Sequence, residues 1–206
     1  MALGAIAWNT GGCRALGFFM SLIPMPAQTV KAEFSGLDAK TVAIVIEADE
    51  SLVYEWPDVR RRLSESIRAE LNLHLDNVVV VRPLRVIRYQ DANLRWRSMD
   101  RAKLGRKFGA DYVLQVVLMD YGVREPGSAS LFRGRAHAAA SVFDTSRSAS
   151  QVSVWRDPNI RVSYPEDGRP VSRIVGSIAA MRDEVERRFA EALVRKFYDY
   201  KVERAM

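Results

Sequence analysis

The stretch SMDRAKLGRKFGADYVLQVVLMDYG, residues 98–122, decides how the chain is read. Its first half has helical spacing, with Leu104 and Phe108 on one side and Arg101, Lys103, Arg106 and Lys107 on the other. That pattern predicts a capped helix from about Ser98 to Phe108 and a strand from Asp111 to about Tyr121. Gly105, Gly109, Ala110 and Asp111 form the corner between them. Gly109 can take the left-handed conformation that ends a helix, and Ala110 is small enough for a tight turn into the strand. Asp111 can accept hydrogen bonds from backbone amides left open there. These residues are read as a folding motif and not as an active site.

Upstream, TVAIVIEA, residues 41–48, is a continuous β-branched run of the kind expected for a central strand covered on both faces. A helix follows it, with Pro57 in its first turn. Val59, Leu63, Ile67 and Leu71 recur every four residues, while Arg60, Arg61, Arg62, Glu65 and Arg68 fall on the solvated side. NVVVVRP supplies a short strand, Val78 to Val81, stopped by Pro83. The next segment reads as a short helix with Leu84 and Ile87 opposite Arg85 and Arg88.

Downstream, LFRGRAHAAASVFDT and SQVSVWRD predict two antiparallel strands joined through SRSA. The last long segment is helical: Ile174, Ile178, Met181, Val185, Phe189 and Ala192 form one stripe, opposite Arg182, Glu186 and Arg195. This order of elements predicts a single α/β domain over residues 40–206. It has a mixed central sheet of about five strands flanked by helices, and a long C-terminal helix. Residues 1–39 are read as a signal-like and membrane-proximal segment.

Composition narrows the function. The chain has 206 residues, 48% of them hydrophobic and 27% charged, which is enough to bury a core. One cysteine excludes an intramolecular disulfide, and two histidines leave no local metal site of the Cys/His type. The phosphate-loop, dinucleotide-binding, GxSxG and HExxH patterns are all missing, so no cofactor is implied. His74 suits the dipole at the end of its helix, and His137 alternates with small residues along a strand. Asp111 and Asp120 bracket a strand, where capping is the ordinary role; both could also act as acids or bases, as the alternative reading of a soluble enzyme with an unrecognised active site requires. Asp49 and Glu50 follow the first strand at a carboxyl end, where α/β sheets commonly bind ligands.

The net charge of +6 is concentrated between Arg82 and Lys107, where nine Lys or Arg face only Asp91 and Asp100. Arg85, Arg88, Arg95, Arg97, Arg101, Arg106 and Lys107 are the candidate surface for an anionic membrane, glycan or protein partner. With Tyr89 and Trp96 interleaved, the segment also fits nucleic acid, the least favoured of the readings. An ordinary solvated helix face is the favoured alternative.

Near the amino end, TGGC places two small residues before Cys13, as a lipoprotein signal peptidase requires. Thr10 stands where an aliphatic residue is preferred, and MALGAIAWN carries no Lys or Arg. Ala15 to Ala27 is apolar but too short for a spanning helix, which needs about 20 residues. Three readings stay open for Cys13: lipid attachment, removal with a conventional signal cleaved near Ala27 or Ala32, and a plain structural thiol. Lipid attachment is preferred.

The runs LGRKFGADYVLQVVL and KTVAIVIEA resemble those of a group of bacterial envelope lipoprotein domains. The group comprises the curli secretion-channel lipoprotein, the lipoprotein activators of penicillin-binding proteins and the TolB amino-terminal domain. The likeness covers roughly Lys40 to Phe197. It implies a mixed α/β domain without catalytic machinery, secreted across the inner membrane, lipid-tethered and acting through contacts with envelope proteins. Segments that build a secretion pore are not recognisable, so pore formation is not carried over. No partner-binding residue is matched, and oligomerisation is left open.

Overall fold

The computed structural model describes residues 28–147, 152–172 and 178–202. Cys13, Ile174 and the second half of SRSA, Ser148 and Ala149, lie outside them. One compact unit comprises Lys31–Asp199. Within the second unit, strand β1 (Gln28–Val30) pairs antiparallel with β7 (Tyr200–Val202), Thr29 opposite Lys201.

The larger unit contains β2 (Thr41–Ala48), α1 (Glu50–Glu55), α2 (Val59–His74), β3 (Val79–Val80) and α3 (Pro83–Ala92). A 3-10 turn (Leu94–Ser98) leads to α4 (Arg101–Phe108), β4 (Tyr112–Arg124), β5 (Phe132–Asp144), β6 (Trp155–Tyr164) and α5 (Ile178–Val194). The five-stranded sheet runs β3-β2-β4-β5-β6. β2 is parallel to β3 and β4, whereas β4, β5 and β6 are antiparallel, so the sheet is mixed as expected.

The β-branched run of β2 is explained by its central position. Val42, Ile44, Ile46 and Ala48 face a core completed by α2 and α5, and Ala43 and Val45 face a second core under α3 and α4. The α2 stripe of Val59, Leu63, Ile67 and Leu71 is fully buried. Truncating Leu63, Ile67 or Leu71 to alanine removes about 2–5 kcal/mol of stability.

The corner between α4 and β4 is held at both ends. Asp100 caps α4, its carboxylate accepting from the Lys103 amide at 2.8 Å, so the helix starts three residues later than the sequence pattern placed it. Ser98 belongs instead to the 3-10 turn. At the far end Gly109 sits at φ 69°, the left-handed region, and the Ala110 amide donates to the Gly105 carbonyl at 3.0 Å. The Asp111 carboxylate accepts from the Thr41 amide at 2.8 Å, pinning the start of β4 to the start of β2. Buried Thr145 donates its hydroxyl to the Ala110 carbonyl at 2.7 Å. At Gly105 a Cβ would stand 2.3 Å from Thr145 Cγ2, so α4 lies directly on the Thr145 side chain.

Four features differ from the sequence expectation. Helix α1 was not anticipated; none of its six residues is fully buried, and only the adjacent Leu52 and Val53 pack partly against the core. Pro57 precedes α2 instead of entering its first turn. In α3 it is Val86 and Gln90 that are buried, and Leu84 is exposed. The fourth is Glu186 in α5, expected on the solvated face but 2% exposed. Its carboxylate accepts from the Tyr121 hydroxyl at 2.5 Å and pairs with Arg62 of α2 at 2.7 Å. Arg62 also bridges to Asp183, and Arg182 binds Asp58 at 2.6 Å while lying over the Trp56 ring at 4.8 Å. Burial and the neighbouring Glu186 push the Tyr121 hydroxyl well above its ordinary pKa. The network satisfies its own charges and locks α2 against α5.

Candidate functional site

The candidate acids fall at two ends of the sheet, Asp111 at one and Asp49 and Asp120 at the other, just past the Ala48–Leu118 pair of β2 and β4. Asp111 is bonded to Thr41 at the start of β2, and Asp49 follows the other end of that strand. Eight residues of extended chain separate them by about 26 Å. Asp120 is held by Arg135 at 2.7 Å on β4 and stands opposite His137 in the strand register. His74 lies 3.3 Å from Glu70 and stacks on Tyr198 at 4.3 Å, a packing role. His137 lines a shallow groove of about 390 Å³ with Asp120, Arg135 and Arg161 on the β4–β6 side. Among the described residues no group of three or more acids, histidines or cysteines is placed to hold a metal ion.

The positive segment forms the outer side of α3, the 3-10 turn and α4. Its cations divide into two sets. Arg101 is half-buried and donates to the carbonyls of Trp96, Met99 and Arg97 and to Gln115 at 2.8–3.1 Å. Burial, its leading influence, lowers its pKa. Arg97 reaches the Ala48 carbonyl at 2.9 Å and Glu47 at 3.5 Å, and Arg106 donates to the Thr145 carbonyl at 2.6 Å. These three bind the segment to the sheet. Arg82, Arg85, Arg88, Arg95, Lys103 and Lys107 are exposed, and none has a carboxylate within ion-pair distance among the described residues. The two local acids are already engaged, Asp91 by Arg60 at 2.7 Å and Asp100 by the α4 cap.

The aromatic residues of this segment are not free. Trp96 is 6% exposed, and Phe108 is buried beneath Arg85, whose guanidinium lies 5.6 Å from the ring centre. Tyr89 is half-buried, with the Lys107 ammonium 4.9 Å from its ring centre. These contacts also bring α3 and α4 together, so their cations share one surface. What protrudes is aliphatic: Leu94 is 90% exposed and Leu84 is 47% exposed. Leu84 lines a groove of about 490 Å³ with Arg82, Arg85 and Arg88.

Beside this face, at the carboxyl end of β2, a cleft of about 450 Å³ is floored by Ile46, Ala48, Val53 and Trp96 and rimmed by exposed Tyr54 and Leu94. Gln90 lines it, donating its amide to the Ile46 carbonyl at 3.0 Å while its own carbonyl oxygen has no donor among the described residues. Sequence reasoning pointed to this end of the strand through Asp49 and Glu50, but Gln90, Trp96 and Tyr54 carried no local signal. The cleft is suited to holding an apolar group, and Glu50, Arg60, Asp91 and Arg97 also line it.

No family model matches the chain, and no curated protein matches it. Solved structures with a similar course include the PelC dodecamer from Paraburkholderia phytofirmans, 11% identical with a TM-score of 0.46, over 81% of this chain and 95% of that one. Lipoprotein GNA1162 from Neisseria meningitidis is 14% identical at a TM-score of 0.42, over 73% of this chain and 98% of that one. A minor lipoprotein from Acinetobacter baumannii is 12% identical at 0.40, over 82% and 99%. None of these three is named as a member of the curli-channel, penicillin-binding-protein activator or TolB group. At these TM-scores and identities the likenesses are not evidence of shared function.

Proposed function

We propose that the chain is a non-enzymatic lipoprotein of the bacterial cell envelope. It is tethered to the membrane through Cys13, faces the periplasm, and binds or scaffolds other envelope proteins. Its export and tethering signals lie in residues 1–39, and it works without a cofactor. The observation that carries the reading is the α3–α4 face, where six exposed cations have no carboxylate partner among the described residues. Unneutralised charge of one sign on a rigid scaffold favours association with an oppositely charged surface. Asp111 lies at the far end of the sheet from Asp49 and Asp120, and Asp120 is already paired with Arg135, which supports the same reading, because general acid–base work needs free groups within hydrogen-bond reach of one substrate.

Intact mass and detergent partitioning of the chain expressed in bacteria test the tether. The expected result is a lipid-modified mature form starting at Cys13 that enters the detergent phase. Cys13→Ser should abolish both the modification and the partitioning. An unmodified mass and unchanged partitioning discard the anchor.

A further inference from the structure

We propose that the α3–α4 face docks on an anionic phospholipid surface. Its free cations meet headgroup phosphates while Leu84 and Leu94 enter the boundary with the acyl chains. The proposal rests on the envelope reading for its setting, but not on the lipid at Cys13.

Three observations select a lipid surface. Clusters of four to eight Lys or Arg on an amphipathic helical surface are the arrangement that anionic leaflets attract. Here Arg82, Arg85, Arg88, Arg95, Lys103 and Lys107 meet that description, since the neighbouring acids are engaged elsewhere. Second, the residues that stand out among those cations are aliphatic, with Leu94 at 90% and Leu84 at 47% exposure. An exposed leucine gains by leaving water for a hydrocarbon boundary and gains nothing comparable on a phosphate backbone. Third, base stacking needs open aromatic faces, and this segment offers none. Trp96 and Phe108 are in the core, and Tyr89 is covered by Lys107. Arg97 and Arg106 reach the Ala48 and Thr145 carbonyls and Arg101 reaches the Gln115 side chain of β4, holding the turn and α4 against the sheet, so the face is presented ready-formed.

The test uses the full chain carrying Cys13→Ser, sedimented with phosphatidylcholine vesicles and with vesicles in which one lipid in three is phosphatidylglycerol. Binding is expected only to the anionic vesicles, and it should weaken as salt rises. Arg82→Gln/Arg85→Gln/Arg88→Gln should lower the partition coefficient on the order of a hundredfold. Leu84→Ser/Leu94→Ser should lower it about tenfold with the charge unchanged. Arg156→Gln/Arg161→Gln/Arg169→Gln removes the same charge from and beside the edge strand β6 and should leave binding within about twofold.

Equal binding to neutral and anionic vesicles overturns the proposal, as does a triple α3 variant that binds like the parent. Single-stranded DNA that displaces the chain from the anionic vesicles reassigns the face to nucleic acid. Because Cys13 is already removed, a failure here leaves the mass test of the tether intact, and a failed tether leaves this result intact.

Discussion

Gly105→Ala probes the corner from which the fold is read. The added Cβ would stand 2.3 Å from Thr145 Cγ2 and 2.7 Å from Val113 Cγ2. Both lie well inside the ordinary carbon–carbon separation of about 3.5–4.0 Å. Neither neighbour is the loose end of a long side chain: both are β-branched and buried, and the Thr145 hydroxyl is tied to the Ala110 carbonyl. Overpacking of this kind costs about 1–3 kcal/mol. Loss of the Thr145 hydrogen bond adds about 1 kcal/mol if that residue moves. Replacing glycine by alanine in a helix returns about 1 kcal/mol. The expected net is a loss of about 1–2 kcal/mol, or about 3–6 °C in Tm for a chain of this size. Thermal and urea unfolding followed by tryptophan fluorescence measure it. Gly105→Ala/Thr145→Ser removes the offending methyl and keeps the hydroxyl, so the double variant should regain about 1 kcal/mol over additivity. A Gly105→Ala protein as stable as the parent, or strict additivity in the cycle, refutes the packing argument.

Other outcomes follow from the buried network and the helix surfaces. Glu186→Ala should cost about 3 kcal/mol, because it leaves Arg62 and the Tyr121 hydroxyl without their shared partner, and Tyr121→Phe should cost about 1–2 kcal/mol. Urea midpoints that put both variants within error of the parent would remove the network from the account of α2–α5 packing. Gly109→Ala should cost about 1 kcal/mol in the same assay, since φ 69° disfavours a side chain; an increase in stability contradicts the left-handed cap. Hydrogen bonding from Arg187, together with Arg188, lowers the Glu184 carboxyl from its ordinary 4.5 to about 2. Its folded pKa lies below its unfolded one, so its contribution is complete above about 4.5 and is lost as pH falls towards 2. Glu184→Gln should flatten the fall of the urea midpoint across that acid window, and an unaltered slope would exclude the pairing.

Much of the architecture was legible because its causes are local. Thr41–Ala48 is read as central because it is apolar except for Thr41 and Glu47 and rich in β-branched residues, and both of its faces are buried. The α2 stripe is read from four-residue spacing, and its four members are buried as that spacing requires. Helix α1 left no trace, because in ESLVYE only the adjacent Leu52 and Val53 pack against the core, which gives no helical periodicity to read. The reading of α3 chose Leu84 over Val86, because the tilt of a ten-residue helix on its sheet is set by neighbours outside the window.

The sequence by itself determined the fold class, the helix-to-strand corner and the concentration of positive charge between Arg82 and Lys107. These depend on residue type and short spacing, which a linear chain displays directly. Only the tertiary structure decided which of those cations are available. Arg97 and Arg106 meet carbonyls, and Arg101 the Gln115 side chain, that folding brings beside them, whereas Arg85, Arg88 and Lys107 meet no acid among the described residues. The same holds for Glu186, polar in pattern yet buried in fact. Its partners Tyr121 and Arg62 lie 65 and 124 residues away in the chain, and no local rule registers a charge whose compensation arrives from that distance.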